Sequence, residues 1–304
     1  MNRDIYEHLR QIVPDENLIL DEPMSRHTTF RTGGPASLFL RVRSVLELLQ
    51  VKELLHSRSV PFFVIGNGSN LLVSDSGYDG AVISMELLNN ISLKGDDSIE
   101  AEAGALNSAI ASFARDNALT GFEFAAGIPG TIGGAMIMNA GAYGGEMKMI
   151  TSSVRVIDPE GCEKTLSDED MEFGYRTSAI KGRGYIVLSA LLSLQKGDEK
   201  EIAGRMTELA LKRKEKQPLE FPSAGSTFKR PEGYFAGKLI EDADLKGYTV
   251  GGAQVSEKHC GFVINRGGAT SSDIYRLICD VRKKVFESSG ITLEPEIIMI
   301  GDFA

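Results

Sequence analysis

Between Gly127 and Gly145 the chain reads Gly-Ile-Pro-Gly-Thr-Ile-Gly-Gly-Ala-Met-Ile-Met-Asn-Ala-Gly-Ala-Tyr-Gly-Gly. Glycine loses more backbone freedom on folding than any other residue, so a run of it needs a compensating gain. The gain is close approach, because main-chain N–H groups can then reach a partner that a β-carbon would hold away. Ile128, Ile132, Met136, Ile137 and Met138 are interleaved with the glycines, so the run is not a polar, flexible linker. Small and apolar together read as a wall against a large flat ligand that carries phosphates. A set of tight turns with no ligand is the alternative, and the run alone leaves it open.

A chain of 304 residues is long enough for more than one domain. Its 42% hydrophobic and 25% charged residues match a globular composition. The net charge of −9 leaves no basic footprint for nucleic acid, so an anionic ligand must be met by local Lys and Arg. Cys162, Cys260 and Cys279 are far apart and have no CxxC spacing, which points away from disulfides and zinc and toward a reducing compartment. The four histidines are isolated and no metal site is expected. The first ten residues lack the apolar core of a signal peptide, and no apolar run is long enough to span a membrane. A cytoplasmic location with no membrane insertion is the expectation.

Along the chain, Leu38, Leu40 and Val42 alternate with Phe39, Arg41 and Arg43 as a strand. Ser44 and Glu47 form a capping-box pattern ahead of a helix that stops before Pro61, and Phe62–Ile65 is a buried strand. That strand–helix–strand opening belongs to a parallel or mixed α/β sheet. Gly66-Asn-Gly-Ser-Asn70 follows at once and can build an anion nest from main-chain N–H groups. It starts like G-x-G-x-x-G, but Leu71 stands at the third glycine and a strand follows instead of a helix, which excludes a Rossmann fingerprint. A diphosphate cradle and a plain hairpin turn both remain open.

Further on, Asn107 is a candidate helix cap, Asp158-Pro-Glu-Gly161 a hairpin turn, and Tyr185–Leu194 a strand. Asp198 caps a helix that ends in Lys212-Arg-Lys-Glu-Lys216, and Gln217-Pro218 breaks the chain there. The last hundred residues alternate as a small α+β domain, with a loop at Gly225–Lys229 and a final strand at Glu296–Ile300. Gly233–Lys238 is a residue short of a P-loop, and Ala224–Phe228 lacks the flanking glycines of a nucleophile elbow. Arg176, Ser226 and Glu296 stand out, although each taken singly reads first as structural.

In combination these segments resemble one family, UDP-N-acetylenolpyruvoylglucosamine reductase, in its shorter subtype. The matching stretches are His27–Gly34, Ile65–Leu71, Ala126–Gly134 with Asn139–Ala142, Gly174–Ser178, Ala224–Lys229, Ala236–Ile240, Leu245–Gly247 with Gly251–Val255, and Leu293–Ile297. They run in order across nearly the whole chain. The resemblance implies an α+β protein with a two-part FAD-binding domain of the vanillyl-alcohol-oxidase (PCMH) type over 1–200, divided near 90, and a substrate-binding domain over 201–304. FAD would be held by Gly66, Asn67, Gly68, Ser69 and Asn70 at its diphosphate and by Gly127, Pro129, Gly130, Thr131, Gly133, Gly134, Asn139, Ala140 and Gly141 along its length.

NADPH would reduce the flavin and leave. The enolpyruvyl sugar nucleotide would then enter, take hydride from flavin N5 at C3 and become UDP-N-acetylmuramate for peptidoglycan. Hydride at C3 drives negative charge through C2 into the carboxylate, so the site needs fixed positive charge there and an acid for C2. By match to the family motifs, Arg176 and Glu296 lie at the carboxylate and Ser226 protonates C2. A carboxyl beside a carboxylate requires that one of the two be protonated. Lys229, three residues from Ser226, is a candidate to assist that hydroxyl. Arg213 and Lys216 match the positions expected at the UDP diphosphate, with Gln254 and Asn265 as further substrate residues. A related flavin oxidase and an inactive flavin- or nucleotide-binding protein are the rivals.

Overall fold

The structure, a computed structural model, describes residues 3–303. The chain forms two compact units, each assembled from separated segments. One holds the residues up to Ile19 together with Leu38–Asn67 and Gly80–Arg213, and the other Leu20–Ser37, Gly68–Asp79 and the residues from Lys214 on. A single cut near residue 200 does not reproduce these packing units.

In the first unit, Val45–Ser57 is the expected helix, with Ser44 Oγ accepting the Glu47 N–H at 3.1 Å. The reciprocal half of the box is not made. Glu47 instead accepts the Arg43 N–H at 2.8 Å and its guanidinium at 2.6 Å, a charge-assisted pairing that outcompetes a neutral amide. Phe62–Ile65 pairs in parallel with Tyr78–Ser84, Phe62 opposite Ala81, in a four-stranded sheet with Leu18–Pro23 and Pro35–Arg41.

A second, antiparallel sheet runs Glu163–Ser167, Thr151–Ile157, Ile186–Ser193, Ser98–Glu102, Ile91–Lys94. Its first hairpin turns at Asp158, which accepts the Gly161 N–H at 3.0 Å while Gly161 takes φ 93°. Leu40, Ile99, Ile110, Val154 and Leu188 are among the side chains of one continuous apolar core. Asn107 is not the cap of the helix Asn107–Asp116 but its first residue; Leu106 holds the N-cap position. Buried Asn107 donates its N–H to the Gly130 carbonyl at 3.1 Å and its amide to Ile128 at 3.4 Å, so it ties that helix to the glycine-rich segment.

In the second unit, an antiparallel sheet runs Ser223–Ser226, Phe262–Asn265, Ala253–Val255, Thr249–Val250. The sequence expectation of a loop at Gly225–Lys229 gives way here, because Ser223–Ser226 pairs with Phe262–Asn265 across a register shift. The helix Ser271–Ser289 buries Ile274, Leu277, Ile278, Val281 and Val285, which recur at helical spacing. A short parallel ladder joins Leu71–Val73 to Ile298–Ile300, so the closing strand starts later than the expected Glu296. Phe30 and Leu72, from the two early segments, lie in the core of this unit.

Thr270 and Asp273 complete a capping box on the long helix. Asp75 adds a second cap, accepting the N–H groups of Ser271 and Ser272 at 2.8 Å each and the Ser272 hydroxyl at 2.6 Å. Burial pushes the Asp75 carboxyl up, but the Ser272 and Ser271 donors outweigh it and leave it below the ordinary range. A depressed folded-state value means that the carboxylate stabilises fully above the unfolded value, about pH 4, and that this contribution is lost as pH falls through the folded value. Asp75→Ala is expected to lower unfolding stability by about 1–2 kcal/mol at neutral pH and to narrow the difference from native below pH 4. Urea titrations at several pH values check this; a difference that grows on acidification counts against it.

Candidate active site

The glycine-rich segment is folded more tightly than a wall of extended chain. It enters through a single turn at Glu123–Ala125, becomes the helix Ile132–Met138, and ends in the short pairing of Gly141–Ala142 with Gly145–Glu146. Its glycines have different jobs. A β-carbon at Gly66 would collide with Thr131 Oγ1, so the end of the Phe62–Ile65 strand and the start of this helix touch main chain to side chain. A β-carbon at Gly133 would come within 2.9 Å of Ala103 Cβ, which seats the helix on the sheet. At Gly134 it would meet no other protein atom within 4 Å, so this glycine leaves a bare, approachable helix face. Gly130 takes φ 123°, a turn conformation that only glycine holds cheaply.

Asn139, expected at the cofactor, has a fully engaged side chain. Its amide donates to Glu146 Oε2 at 2.8 Å and to the Gly174 carbonyl at 3.0 Å, and its oxygen accepts the Lys148 N–H at 3.0 Å. It sits at φ 42° and ends the helix, so its work is to hold the Gly174–Ser178 loop. Ser178 adds a hydrogen bond to the Ile137 carbonyl at 2.8 Å. That loop carries Arg176 at φ 54°, with one guanidinium nitrogen 3.4 Å from the Gly141 carbonyl and its own carbonyl accepting Lys181 Nζ at 2.8 Å. The structure therefore brings Arg176 to the glycine-rich segment.

Arg213, expected at a diphosphate, donates to the Gly127 carbonyl and lies over the Tyr143 ring at 5.9 Å. Burial pulls its guanidinium down from the usual range while Tyr143 partly restores it. These groups line a cavity of about 320 Å³ with Phe124, Arg115 and Met206. Tyr143 was not singled out from sequence. The signal was there: a lone aromatic between Ala142 and Gly144 in the glycine-rich run, held at φ 54°. Lys216 is exposed at the last turn of its helix.

In the second unit, Gly68 takes φ 57°, and a β-carbon there would collide with the His27 carbonyl. Nearby Thr29 donates its N–H to the Gly68 carbonyl at 3.3 Å, and its buried hydroxyl finds no hydrogen-bond partner among the described residues. Residues 227–229 and 294–296 form a short antiparallel pairing. The Glu296 N–H donates to Thr227 at 2.8 Å, Lys229 N–H to Glu294 at 2.9 Å, and Phe228 stands opposite Pro295. Exposed Ser226 adjoins this pairing, so Ser226 and Glu296, seventy residues apart in sequence, share one local frame.

Two of the expected residues are engaged by partners within the protein. Lys229 Nζ bonds the Glu294 carboxylate, because the main-chain register sets those side chains opposite each other; its charge is not reserved for Ser226. Asn265 is buried, with its amide on the Phe30 carbonyl at 3.0 Å and its oxygen accepting the Gly267 and Ala269 N–H groups at 2.9 and 3.2 Å. That side chain shapes the turn, with its oxygen fully used by the two main-chain N–H groups and one of its two amide hydrogens spent on Phe30. Gln254 donates to Gly247 and Thr249 and accepts from Arg266, at the edge of a second cavity of about 320 Å³. No group of three or more metal-ligating side chains occurs among the described residues. No helix there is long and apolar enough to cross a membrane.

Residues 36–167 match the FAD binding domain family, and residues 217–300 match the C-terminal domain of UDP-N-acetylenolpyruvoylglucosamine reductase. The chain is 51% identical over 301 residues to UDP-N-acetylenolpyruvoylglucosamine reductase of Clostridioides difficile (strain 630), covering 99% of each. It is 51% identical over 298 residues to that of Caldanaerobacter subterraneus subsp. tengcongensis, covering 98% of each. The chain belongs to the UDP-N-acetylenolpyruvoylglucosamine reductase family. It is thus a flavin-dependent oxidoreductase. The crystal structure of the Thermus caldophilus reductase superposes with a TM-score of 0.79 at 35% identity, over 93% of this chain and 98% of that one. An alkyldihydroxyacetonephosphate synthase structure, at 17% identity and TM-score 0.50, shares the fold over 64% of this chain and 41% of that one.

The residues present fit the FAD that this family's domain implies. In the first unit Gly134 bares a helix face that no protein atom fills, and in the second the buried Thr29 hydroxyl has no partner among the described residues. Gly134→Ala separates protein from cofactor. The protein has room for the methyl group, so the apo form should gain about 0.5–1 kcal/mol from the helix substitution, while FAD affinity falls at least about tenfold. Thermal unfolding of the apo form with flavin titration measures both, and unchanged FAD affinity would remove Gly134 from the cofactor site.

Proposed function

We propose that the chain reduces the enolpyruvyl double bond of UDP-N-acetyl-3-O-(1-carboxyvinyl)-glucosamine to UDP-N-acetylmuramate, with NADPH as electron donor, in the cytoplasm. The observation that carries this reading is the shared frame of Ser226 and Glu296, set up by the Thr227–Glu296 hydrogen bond at 2.8 Å. An exposed alcohol and a carboxyl on neighbouring main chain suit a reaction that needs a proton at one carbon and a grip on an adjoining carboxylate. FAD, when bound, supplies the hydride. In this reading residues 1–200 serve the cofactor and residues 201–304 the substrate.

Hydride added at C3 leaves charge that spreads from C2 into the substrate carboxylate. Arg176 counters that charge: its left-handed backbone and its contact with the Gly141 carbonyl pre-set the guanidinium, so little reorganisation is needed as charge develops. Glu296, as the protonated partner, hydrogen-bonds the same carboxylate without like-charge repulsion. Ser226 gives its proton to C2. The Lys229–Glu294 ion pair stands beside this pairing as a fixed dipole and not as a free cation. Arg213 and Lys216 are assigned to the diphosphate, with the Tyr143 ring beneath the Arg213 guanidinium in the lining of one cavity.

The FAD-loaded protein should bleach on addition of NADPH and recover its colour on anaerobic addition of the enolpyruvyl sugar nucleotide. Ser226→Ala should leave bleaching unchanged and slow recovery by about 10²–10⁴-fold. Recovery at the native rate in that variant sinks the role of Ser226, and no recovery in the native protein sinks the function.

A further inference from the structure

Asn70 ends the glycine-rich loop Gly66–Asn70 and precedes the strand Leu71–Val73. Its carbonyl accepts the Ile298 N–H at 2.9 Å, the last main-chain bond of the parallel ladder. In a continuing parallel ladder the next bond would run from the main-chain N–H of residue 70 to the carbonyl of residue 296. Here the side chain takes that place: Asn70 Nδ2 donates to the Glu296 carbonyl at 3.1 Å. One residue thus clamps the stretch 296–298 from both sides of Ile297. On its other edge Glu296 donates to Thr227 at 2.8 Å. The main-chain N–H of Asn70 has no protein acceptor among the described residues, which leaves it for an anion in the loop.

We propose that Asn70 is a positioning residue for Glu296, its side-chain amide fixing the main chain that carries the carboxyl group while its own main-chain N–H serves the cofactor loop. The inference rests on the reading of Glu296 as the group beside the substrate carboxylate. A side chain in place of a ladder N–H joins two tasks in one residue. The loop that cradles the flavin diphosphate then sets the height and direction of an acid seated on a different segment. The amide is the donor in this contact. Aspartate at the same position presents only acceptors to a carbonyl oxygen, and alanine does not reach it.

The test follows the oxidative half-reaction alone. FAD-loaded native protein, Asn70→Asp, Asn70→Ala, Glu296→Gln and the double variant Asn70→Asp with Glu296→Gln are photoreduced without NADPH. Each is then mixed anaerobically with the enolpyruvyl sugar nucleotide over a range of concentrations. Asn70→Ala keeps the main-chain N–H and should hold FAD as the native protein does, while Asn70→Asp, with a carboxylate beside the diphosphate cradle, is compared at saturating FAD. Their limiting reoxidation rate should fall about 10–100-fold, the loss expected from a misplacement near 1 Å, with half-saturation changed less than about threefold. In the Glu296→Gln background Asn70→Asp should cost little more, since both act through one carboxyl. Native limiting rates in both Asn70 variants overturn the proposal, as does full additivity with Glu296→Gln. Loss of FAD from both variants overturns it too, because the side chain then serves the cofactor. A native protein whose reduced flavin ignores the nucleotide overturns the function itself, a distinct result.

Discussion

Main chain can approach another segment closely only where no β-carbon stands in the way, and the first unit depends on that at Gly66. The contact with Thr131 brings the end of a strand against the start of a helix. From that junction the helix Ile132–Met138 is seated on the sheet by Gly133 and tied to the neighbouring helix through Asn107. Asn139 closes it and reaches across to hold the loop of Arg176. The placing of the Arg176 loop thus descends from a chain of small residues and one left-handed asparagine.

The second unit solves a different problem with the same economy of parts. Ser226 and Glu296 come from remote stretches, and side-chain packing alone would hold their spacing loosely. A main-chain pairing of residues 227–229 with residues 294–296 does it instead. Hydrogen bonds between backbones have short reach and defined direction, so the groups they carry inherit that definition. Pro295 stands opposite Phe228 between the two hydrogen bonds, a position where the missing N–H costs the pairing nothing.

Much of this was legible in the residues themselves. Alternation at Leu38–Val42, the turn at Asp158–Gly161 and the spacing from Ile274 to Val285 are local signals, and each element formed where its period placed it. The density of small residues at Gly127–Gly145 marked the segment but not its shape, since Gly133 and Gly134 disfavour a helix while Ala135, Met136 and Met138 favour one. Asn139, Asn265 and Lys229 show the limit most clearly. Each has donors suited to a ligand, and each is engaged by a partner from far along the chain: Gly174, Phe30 and Glu294. Long-range register decides such pairings, and one sequence does not display register. The same limit hid the double role of Asn70, whose partner lies 226 positions away.

Phe30 and Leu72 are buried in a core built mainly from residues after Lys214. A ribosome adds about 5–20 residues each second, so Leu72 waits on the order of ten to forty seconds for its final neighbours. Throughout synthesis these early side chains have no native shelter. The nascent chain is thus exposed to aggregation and to chaperone capture until its last strand emerges, and a truncated transcript yields a polypeptide that cannot finish that core.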